Sequence, residues 1–371
     1  MQTQTFDLLG ASPGLRHSLQ VHRFGRPGAR PKATLQAALH ADEVPAMLAA
    51  LQLRERLAAL EAAGEVVGEV VLIPVANPLG LAQQLLGQHV GRFDLRDGVN
   101  FNRGYADLGA EVAGAVATRL GGEAAPNVAV VREALAAAAA TLQATTPTQD
   151  LKHRLLREAI DADIVLDLHC DSQAVLHLYA LTPQRDIAEE LGALLGARAI
   201  LLADESGDSP FDEACSRPWL QLQQRFPSHP LPLACFAATV ELRGENDTSH
   251  TLAQQDADAL VAFLRRRGVL SPAVASLPLP RCEATLLAAS EPITAPRAGV
   301  VVFHVEAGEV VPAGAAIADL VDVYSGAVET LRCQSAGVLY ARSGSRWAAA
   351  GQRLAKIAGR TLARTGKLLS P

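Results

Sequence analysis

The chain has 371 residues, of which 49% are apolar and 19% are charged, enough to form one large domain with a buried core and a smaller second domain. Its net charge of -6 at pH 7 provides no basic surface, which excludes nucleic acid as an expected partner. The N-terminus has no basic start followed by an apolar segment, and no apolar window has transmembrane length. We therefore expect a globular cytoplasmic protein that does not associate with membranes.

The cysteines indicate neither a disulfide framework nor a cysteine-based zinc cluster. They are odd in number and show no C-x-x-C spacing, at positions Cys170, Cys215, Cys235, Cys282 and Cys333. We expect reduced thiols with mostly structural roles.

The first 270 residues alternate short apolar runs with longer helical patterns. Such alternation is typical of βαβ units, and it predicts an α/β fold with a mixed, mostly parallel sheet flanked by helices. Strands are predicted at 34–39, 70–75, 163–168, 175–181, 198–203 and 235–242.

The helices between these strands have recognisable ends. Pro45 lies where the first turn of an amphipathic helix is expected, and Thr146 begins a capping-box pattern with proline at the next position. Ser249 is the expected N-cap of a helix that stops at Gly268. The alanine-rich segment 120–145 is predicted to be a helix or a loop-helix insertion.

The composition changes after Gly268, and we place a domain boundary near residue 285, dividing the chain into 1–285 and 286–371. In the second part a glycine-punctuated β pattern occurs twice, at an offset of about 36 to 38 residues. It predicts a small all-β barrel-sandwich domain that resembles the biotinyl and lipoyl carrier fold. Because no lysine lies between Lys152 and Lys356, we do not expect a carrier, and we expect a lid, an assembly surface or a wall of the active site.

Three residues form a candidate metal site. His40 and Glu43 lie between a predicted strand and a predicted helix, and His169 directly follows another strand. Two histidines and one glutamate are a known ligand set for hydrolytic zinc. The carboxyl ends of strands meet at the ligand crevice of an open α/β sheet, and Glu241 lies near such an end as well. Asp167 is on the His169 side of its strand, either orienting that imidazole or forming an ordinary hydrogen bond.

Between residues 33 and 268, four short motifs accompany this ligand set: H-x-x-E at 40–43, N-P at 77–78, N-R at 102–103 and D-L-H at 167–169. The series resembles the succinylglutamate desuccinylase/aspartoacylase family, a branch of the zinc carboxypeptidase clan. The resemblance implies a zinc-carboxypeptidase-like catalytic domain. It also implies one zinc ion per chain, held by His40, Glu43 and His169.

The resemblance implies roles for further residues. Glu241, on a late strand, matches the catalytic glutamate, and Asn102 with Arg103 matches the pair that holds the substrate carboxylate. The arginine that polarises the scissile carbonyl is assigned to Arg92, with Arg96 as the competitor.

Together these residues predict a zinc-dependent amidohydrolase in which metal-activated water cleaves an N-acyl amino acid or similar small carboxylate, with Glu241 as general base. One alternative is a zinc carboxypeptidase acting on short peptides, which an open cleft would favour. Others are a non-catalytic binding protein on the same fold and an assembly module built on the C-terminal domain. The expected partner is a small anionic substrate, and a homo-oligomer remains open.

Overall fold

The structure is a computed structural model, and it describes residues 1–10, 12–273 and 276–369. Its helices are α1 Pro45–Ala62, α2 Pro78–Leu81, α3 Leu108–Ala117, α4 Ala124–Thr141, α5 Pro147–Ala159, α6 Arg185–Leu195, α7 Phe211–Arg225 and α8 His250–Arg266. The strands of the large sheet and the segments beside it are β1 Gln2–Asp7, β2 Ser18–Gly25, β3 Lys32–Ala37, β4 Glu69–Ile73, β5 Gln84–Leu85, β6 Gln88–His89, β7 Ile164–Asp171, β8 Gln173–Ala174, β9 His177–Leu181, β10 Ala199–Ala203, β11 Phe236–Gly244 and β12 Ala284–Leu286. The strands that follow are β13 Glu291–Thr294, β14 Gly299–Phe303, β15 Val310–Val311, β16 Ala316–Val321, β17 Val328–Arg332, β18 Gly337–Arg342, β19 Trp347–Ala348 and β20 Arg353–Ala358.

The first part of the chain is a nine-stranded sheet between two layers of helices. Its order is β1-β2-β4-β3-β7-β11-β9-β10-β12, and most neighbouring pairs are parallel. Helices α1, α6 and α8 pack on one face, and α3, α4, α5 and α7 pack on the other. The predicted mixed α/β fold with a mostly parallel sheet is confirmed.

The central strands have the composition of strands that are buried on both faces. Every residue of β3 is buried, as are Ile164–Cys170 of β7. The six predicted strands all exist, with boundaries that differ by up to three residues. Strands β1 and β2 were not predicted, because β1 is a polar, largely exposed edge strand without an apolar run.

The predicted helix ends are also present. α1 begins at Pro45, and the side chain of Thr146 accepts a hydrogen bond from the Gln149 backbone N–H at the start of α5. Ser249 caps α8 by accepting from the Leu252 N–H at 3.2 Å. The alanine-rich segment forms α4. No helix in these described ranges is long and apolar enough to cross a membrane.

The chain leaves the large sheet after β12 and then forms two antiparallel sheets, β13-β20-β18-β15 and β17-β16-β14-β19. β18, β19 and β20 begin 38, 37 and 37 residues after β14, β15 and β16. The pairing is reciprocal: β14 pairs with β16 and β19, while β18 pairs with β20 and β15. The repeat seen in the sequence is therefore a structural repeat with its own apolar core.

Candidate metal and active site

The three predicted metal ligands come together in space. His40 and Glu43 lie in the connection from β3 to α1, and His169 lies near the carboxyl end of the neighbouring strand β7. One ligand atom from each residue lies within 4.8 Å of the other two, and all three side chains are buried. The strand order brings them together, since β3 and β7 are parallel neighbours whose carboxyl ends meet at the same edge.

Hydrogen bonds orient both imidazoles. His40 Nε2 donates to Asn100 Oδ1 at 2.9 Å, and His169 Nε2 donates to Asp167 Oδ2 at 2.8 Å. The Nδ1 atoms of both rings therefore face Glu43, at 2.9 Å from Oε1 and 2.7 Å from Oε2 respectively. A carboxylate on the far nitrogen is the usual support of a metal-binding histidine. Asp167 thus orients the His169 imidazole, which is one of the two roles predicted for it from the sequence.

The electrostatics of the triad suit a cation. Burial raises the pKa of Glu43, but the two histidines outweigh it and hold that pKa well below its usual value. Burial lowers the pKa of His169, yet Asp167 and Glu43 raise it well above the usual value. The two carboxylates thus favour positive charge at the triad, which a metal ion can supply. Two imidazoles and one carboxylate fit zinc in donor type and number.

The candidate arginines differ in position. Arg92 lies at the triad, with Nη1 3.1 Å from His40 Nδ1 and 3.2 Å from Glu43 Oε1. Arg96 instead pairs with Asp94, at 2.6 Å from Nη2 to Oδ2, and also contacts Thr148. Only Arg92 of the two lines the cavity described below.

Asn102 and Arg103 both line the cavity, but their side chains differ in their contacts. Asn102 Oδ1 accepts from the Phe211 backbone N–H at 2.9 Å, and its Nδ2 lies 3.3 Å from His169 Nε2. Arg103 donates from Nη1 to the Asn102 carbonyl at 2.7 Å, and burial lowers its pKa. Asn102 therefore connects the start of α7 to the triad through its side-chain amide. Arg103 supplies the positive charge on this side of the cavity.

Glu241 lies beside the triad on β11, paired in register with His169 of β7. It lines the same cavity, and its Oε2 has no hydrogen-bond partner within the described residues. Burial and the neighbouring Glu43 carboxylate raise its pKa to about 8. A carboxyl with a raised pKa and a free oxygen has the properties of a group that exchanges protons near neutral pH.

All these groups open into a cavity of about 370 Å³. Its lining comes from the large sheet, from the start of α7, and from β18, β20 and the segment between them. Lys356 of β20 crosses to the large sheet and pairs with Asp171 at the end of β7. Of the three predicted roles for the C-terminal part, the wall of the site is the one that this geometry supports.

No protein-family model and no curated protein sequence matches this chain. Among solved structures, a protein from Shewanella amazonensis SB2B assigned to the succinylglutamate desuccinylase/aspartoacylase family has a TM-score of 0.85 and 28% identity, over 96% of this chain and 98% of that chain. A family protein from Shewanella frigidimarina has a TM-score of 0.86 and 24% identity, over 96% and 97%. The chain is a structural relative of the succinylglutamate desuccinylase/aspartoacylase family.

The family likeness extends through both parts of the chain. The product-bound ectoine utilization protein from Ruegeria pomeroyi has a TM-score of 0.67 at 17% identity, over 97% of this chain and 95% of that chain. At that identity the match shows the fold alone, but it includes the small antiparallel sheets. The resemblance predicted from short motifs is therefore confirmed at the level of the whole fold.

Sequence reasoning missed several residues of this site. Asn100 belongs to the segment that holds Asn102 and Arg103, and its proximity to them was the only available signal. Asp171 and Lys356 are 185 residues apart, and the sequence gives no sign that they pair. The apolar strand positions that line the cavity were not singled out, because an apolar strand residue looks the same in sequence whether it faces a helix or a ligand.

Proposed function

We propose that the chain is a zinc-dependent hydrolase that cleaves the amide bond of an N-acyl amino acid or a similar small carboxylate. The observation that carries this proposal is the convergence of His40, Glu43 and His169 on one point, with Glu241 and an arginine beside them. The structural neighbours, which are family proteins of hydrolase type, support an enzyme.

Zinc held by the three ligands would supply Lewis-acid polarisation of the scissile carbonyl and acidification of a water molecule. Arg92 can donate to the carbonyl oxygen as negative charge develops there, an interaction that counts most in a site shielded from water. Arg103 can bind the substrate carboxylate through two parallel hydrogen bonds, since a guanidinium matches a carboxylate in shape and charge.

Glu241 is assigned the proton transfers, as general base toward water and then general acid toward the departing amine. Its raised pKa describes the protein without a cation in the site, because Glu43 contributes to that shift. A divalent cation at the triad would favour the ionised carboxylate that a base must be.

The first experiment is to measure the metal content of the purified protein and to assay N-acyl amino acids and dipeptides before and after chelation. We expect one zinc per chain and chelator-sensitive release of free amino acid from the N-acyl compounds. Cleavage of dipeptides alone would establish the carboxypeptidase alternative. No bound metal and no metal-dependent turnover would contradict the proposal and favour the binding-protein alternative.

A substitution then tests the assigned base. Glu241→Gln should reduce kcat by roughly 100-fold or more, since general acid-base catalysis contributes about that factor, while metal content stays near wild type. His169→Ala should lose both metal and turnover. Unchanged kcat in Glu241→Gln would remove this residue from the mechanism.

A further inference from the structure

The cavity extends away from the triad along one face of the large sheet. From β7 it passes β11 and β9 to β10, which are successive neighbours. Thr239 of β11 is in register with Tyr179 of β9, and Tyr179 is in register with Leu201 of β10; all three line the cavity. Because neighbouring strands are about 4.8 Å apart, β10 lies roughly 14 Å from β7. The cavity is therefore much longer than a small acyl group requires.

The part of the cavity over β9 and β10 is mostly apolar, and we call it the apolar arm. Its lining combines sheet residues with residues from the chain beyond β12, namely Tyr179, Leu181, Leu201, Leu287, Leu354 and Leu369. A surface of this kind favours methylene groups over water, by about 25 cal/mol for each Å² of apolar area that is covered. Binding sites for organic ligands commonly combine such a lining with a few placed polar groups.

Arg353, next to Leu354 at the start of β20, is a cation of the cavity wall that has no counter-ion among the described residues. Three other cationic side chains of the wall have acidic partners, namely Arg92 with Glu43, Arg342 with Glu306, and Lys356 with Asp171. Within residues 1–10, 12–273 and 276–369, Arg353 has neither an ion pair nor a side-chain hydrogen bond, although it is only half exposed. A guanidinium in a cavity wall that has no carboxylate partner among the described residues can bind an anionic ligand.

A second arginine strengthens the positive potential there. Arg364 donates to the backbone carbonyls of Leu287 at 3.0 Å and Leu368 at 3.2 Å, beside the apolar arm, and pairs with no carboxylate of the described chain. Burial lowers its pKa, and the nearby charge of Arg353 lowers it further. Two guanidinium groups thus lie beside the arm, and neither forms an ion pair with a carboxylate of the described residues.

We propose that the apolar arm binds an acyl chain of several methylene groups that ends in a carboxylate, and that Arg353 is the residue that selects this terminal anion. The inference rests on the proposed deacylase function and specifies its substrate class. Arg103 would read the carboxylate of the amino acid and Arg353 that of the acyl chain, so the substrate is a dianion with its two charges far apart.

Geometry sets the expected length of the acyl chain. An extended carbon chain advances about 1.2 Å per bond, and the contact between a carboxylate carbon and a guanidinium carbon adds roughly 4 Å. An acyl group of about eight to ten carbons therefore spans most or all of the roughly 14 Å from β7 to β10. An acetyl group stays at the triad and leaves the arm empty.

The kinetic test compares three N-acyl alanines whose acyl groups are acetyl, octanoyl and 7-carboxyheptanoyl. We expect wild-type kcat/KM to be at least tenfold higher for the 7-carboxyheptanoyl than for the octanoyl compound. In Arg353→Gln this ratio should fall to about one, while Arg353→Lys should keep part of it. A wild-type ratio of one, or the same ratio in Arg353→Gln, would overturn the inference.

Two controls sharpen the result. Arg332→Gln removes an exposed arginine of β17 that does not line the cavity, and it should keep the wild-type ratio. N-Acetylaspartate places the second carboxylate on the amino acid instead. If Arg353→Gln lowers kcat/KM for this compound and not for the 7-carboxyheptanoyl one, Arg353 reads the amino acid and the proposed orientation is wrong.

A binding experiment separates this inference from the proposed function. Calorimetry of the zinc-supplemented full-length protein should show at least tenfold tighter binding of octanedioate than of octanoate, and Arg353→Gln should remove the difference. If this holds while no N-acyl amino acid is hydrolysed, the anion site stands and the deacylase proposal fails. If N-acyl amino acids are hydrolysed but neither experiment shows a preference for the terminal carboxylate, the deacylase stands and the anion site falls.

Discussion

Both oxygens of the Asp167 carboxylate accept hydrogen bonds from side chains. Oδ2 accepts from His169, and Oδ1 accepts from Gln36 Nε2 at 2.9 Å, so the carboxylate cannot turn away from the imidazole. We predict that Asp167→Asn weakens zinc binding by about 10- to 100-fold, the range usual for a residue that supports a metal ligand. Competition with a chelator of known affinity measures this change.

Asp163→Asn is the matched control, because Asp163 precedes the same strand and pairs with Arg30 and Arg132 far from the triad. It should lower stability without changing zinc affinity. Equal zinc affinity in wild type and Asp167→Asn would show that the tautomer of His169 does not depend on this carboxylate.

The raised pKa of Glu241 has a consequence for stability. The carboxyl of Glu241 binds its proton more tightly in the folded state than in the unfolded state. The resulting stabilisation is complete below the unfolded-state pKa near 4.5, and it is lost as the pH rises toward about 8. Glutamine does not titrate. We therefore predict that, without metal, the Tm of Glu241→Gln relative to wild type increases by several degrees between pH 5 and pH 9, since about 1 kcal/mol shifts Tm by roughly 3 °C in a chain of this size.

Glu283→Gln provides the comparison, because Glu283 is an exposed carboxylate that does not line the cavity. Its Tm difference from wild type should stay nearly constant over the same pH range. A constant difference for Glu241→Gln as well would mean that Glu241 is not buried with the neighbours seen here.

At the scale of elements, the segment from Gly91 to Arg103 carries four of the site residues on a loop that must approach the β3–α1 connection closely. A Cβ on Gly91 would lie 2.4 Å from the Asp42 backbone nitrogen, and the Ala41 N–H donates to the Gly91 carbonyl at 3.1 Å. Gly91→Ala must therefore displace Arg92. We predict at least a tenfold loss of kcat/KM with the fold retained.

Gly114→Ala is the control for this substitution. Gly114 is exposed within α3, and nothing lies within 4 Å of an added Cβ, so the change should stabilise the protein by about 1 kcal/mol through helix propensity. Wild-type kcat/KM in Gly91→Ala would show that the loop can adapt and that Arg92 does not need its present position.

At the scale of the whole molecule, Asp171 and Lys356 connect the large sheet to the C-terminal sheets. The pair is mostly buried, at 21% and 20% side-chain exposure. Lys356→Met leaves Asp171 without its partner, and we predict a loss of roughly 3 kcal/mol in the free energy of unfolding. The double variant Asp171→Asn/Lys356→Met should recover most of that loss, because no unpaired charge remains.

Denaturant unfolding of wild type, both single variants and the double variant measures this coupling. Additive losses, with no recovery in the double variant, would show that the two side chains do not interact in solution.

The expected cytoplasmic location and a homo-oligomeric assembly stay predictions.

The sequence by itself predicted the central strands, several helix starts and the three candidate metal ligands. Apolar runs predicted the central strands because β3 and β7 are buried on both faces. Thr146 and Ser249 marked helix starts because their side chains accept hydrogen bonds from backbone N–H groups of the first turn, and Pro45 did so because it has no N–H that needs a partner. His40, Glu43 and His169 could be singled out because each lies in or near a short motif at the end of a strand. These signals depend on neighbours in sequence, which a single chain displays.

Only the tertiary structure decided how distant residues meet. It placed Arg92 at the triad and Arg96 away from it, and it paired Asp171 with Lys356. It also placed Arg353 of β20 in the lining of a cavity that the large sheet lines as well. Strands β1 and β2, at one side of the large sheet, also emerged only there, because the edge strand β1 is held by backbone pairing and not by an apolar pattern. Such contacts join positions far apart in the chain, and their energy comes from packing and charge pairing that no local pattern records.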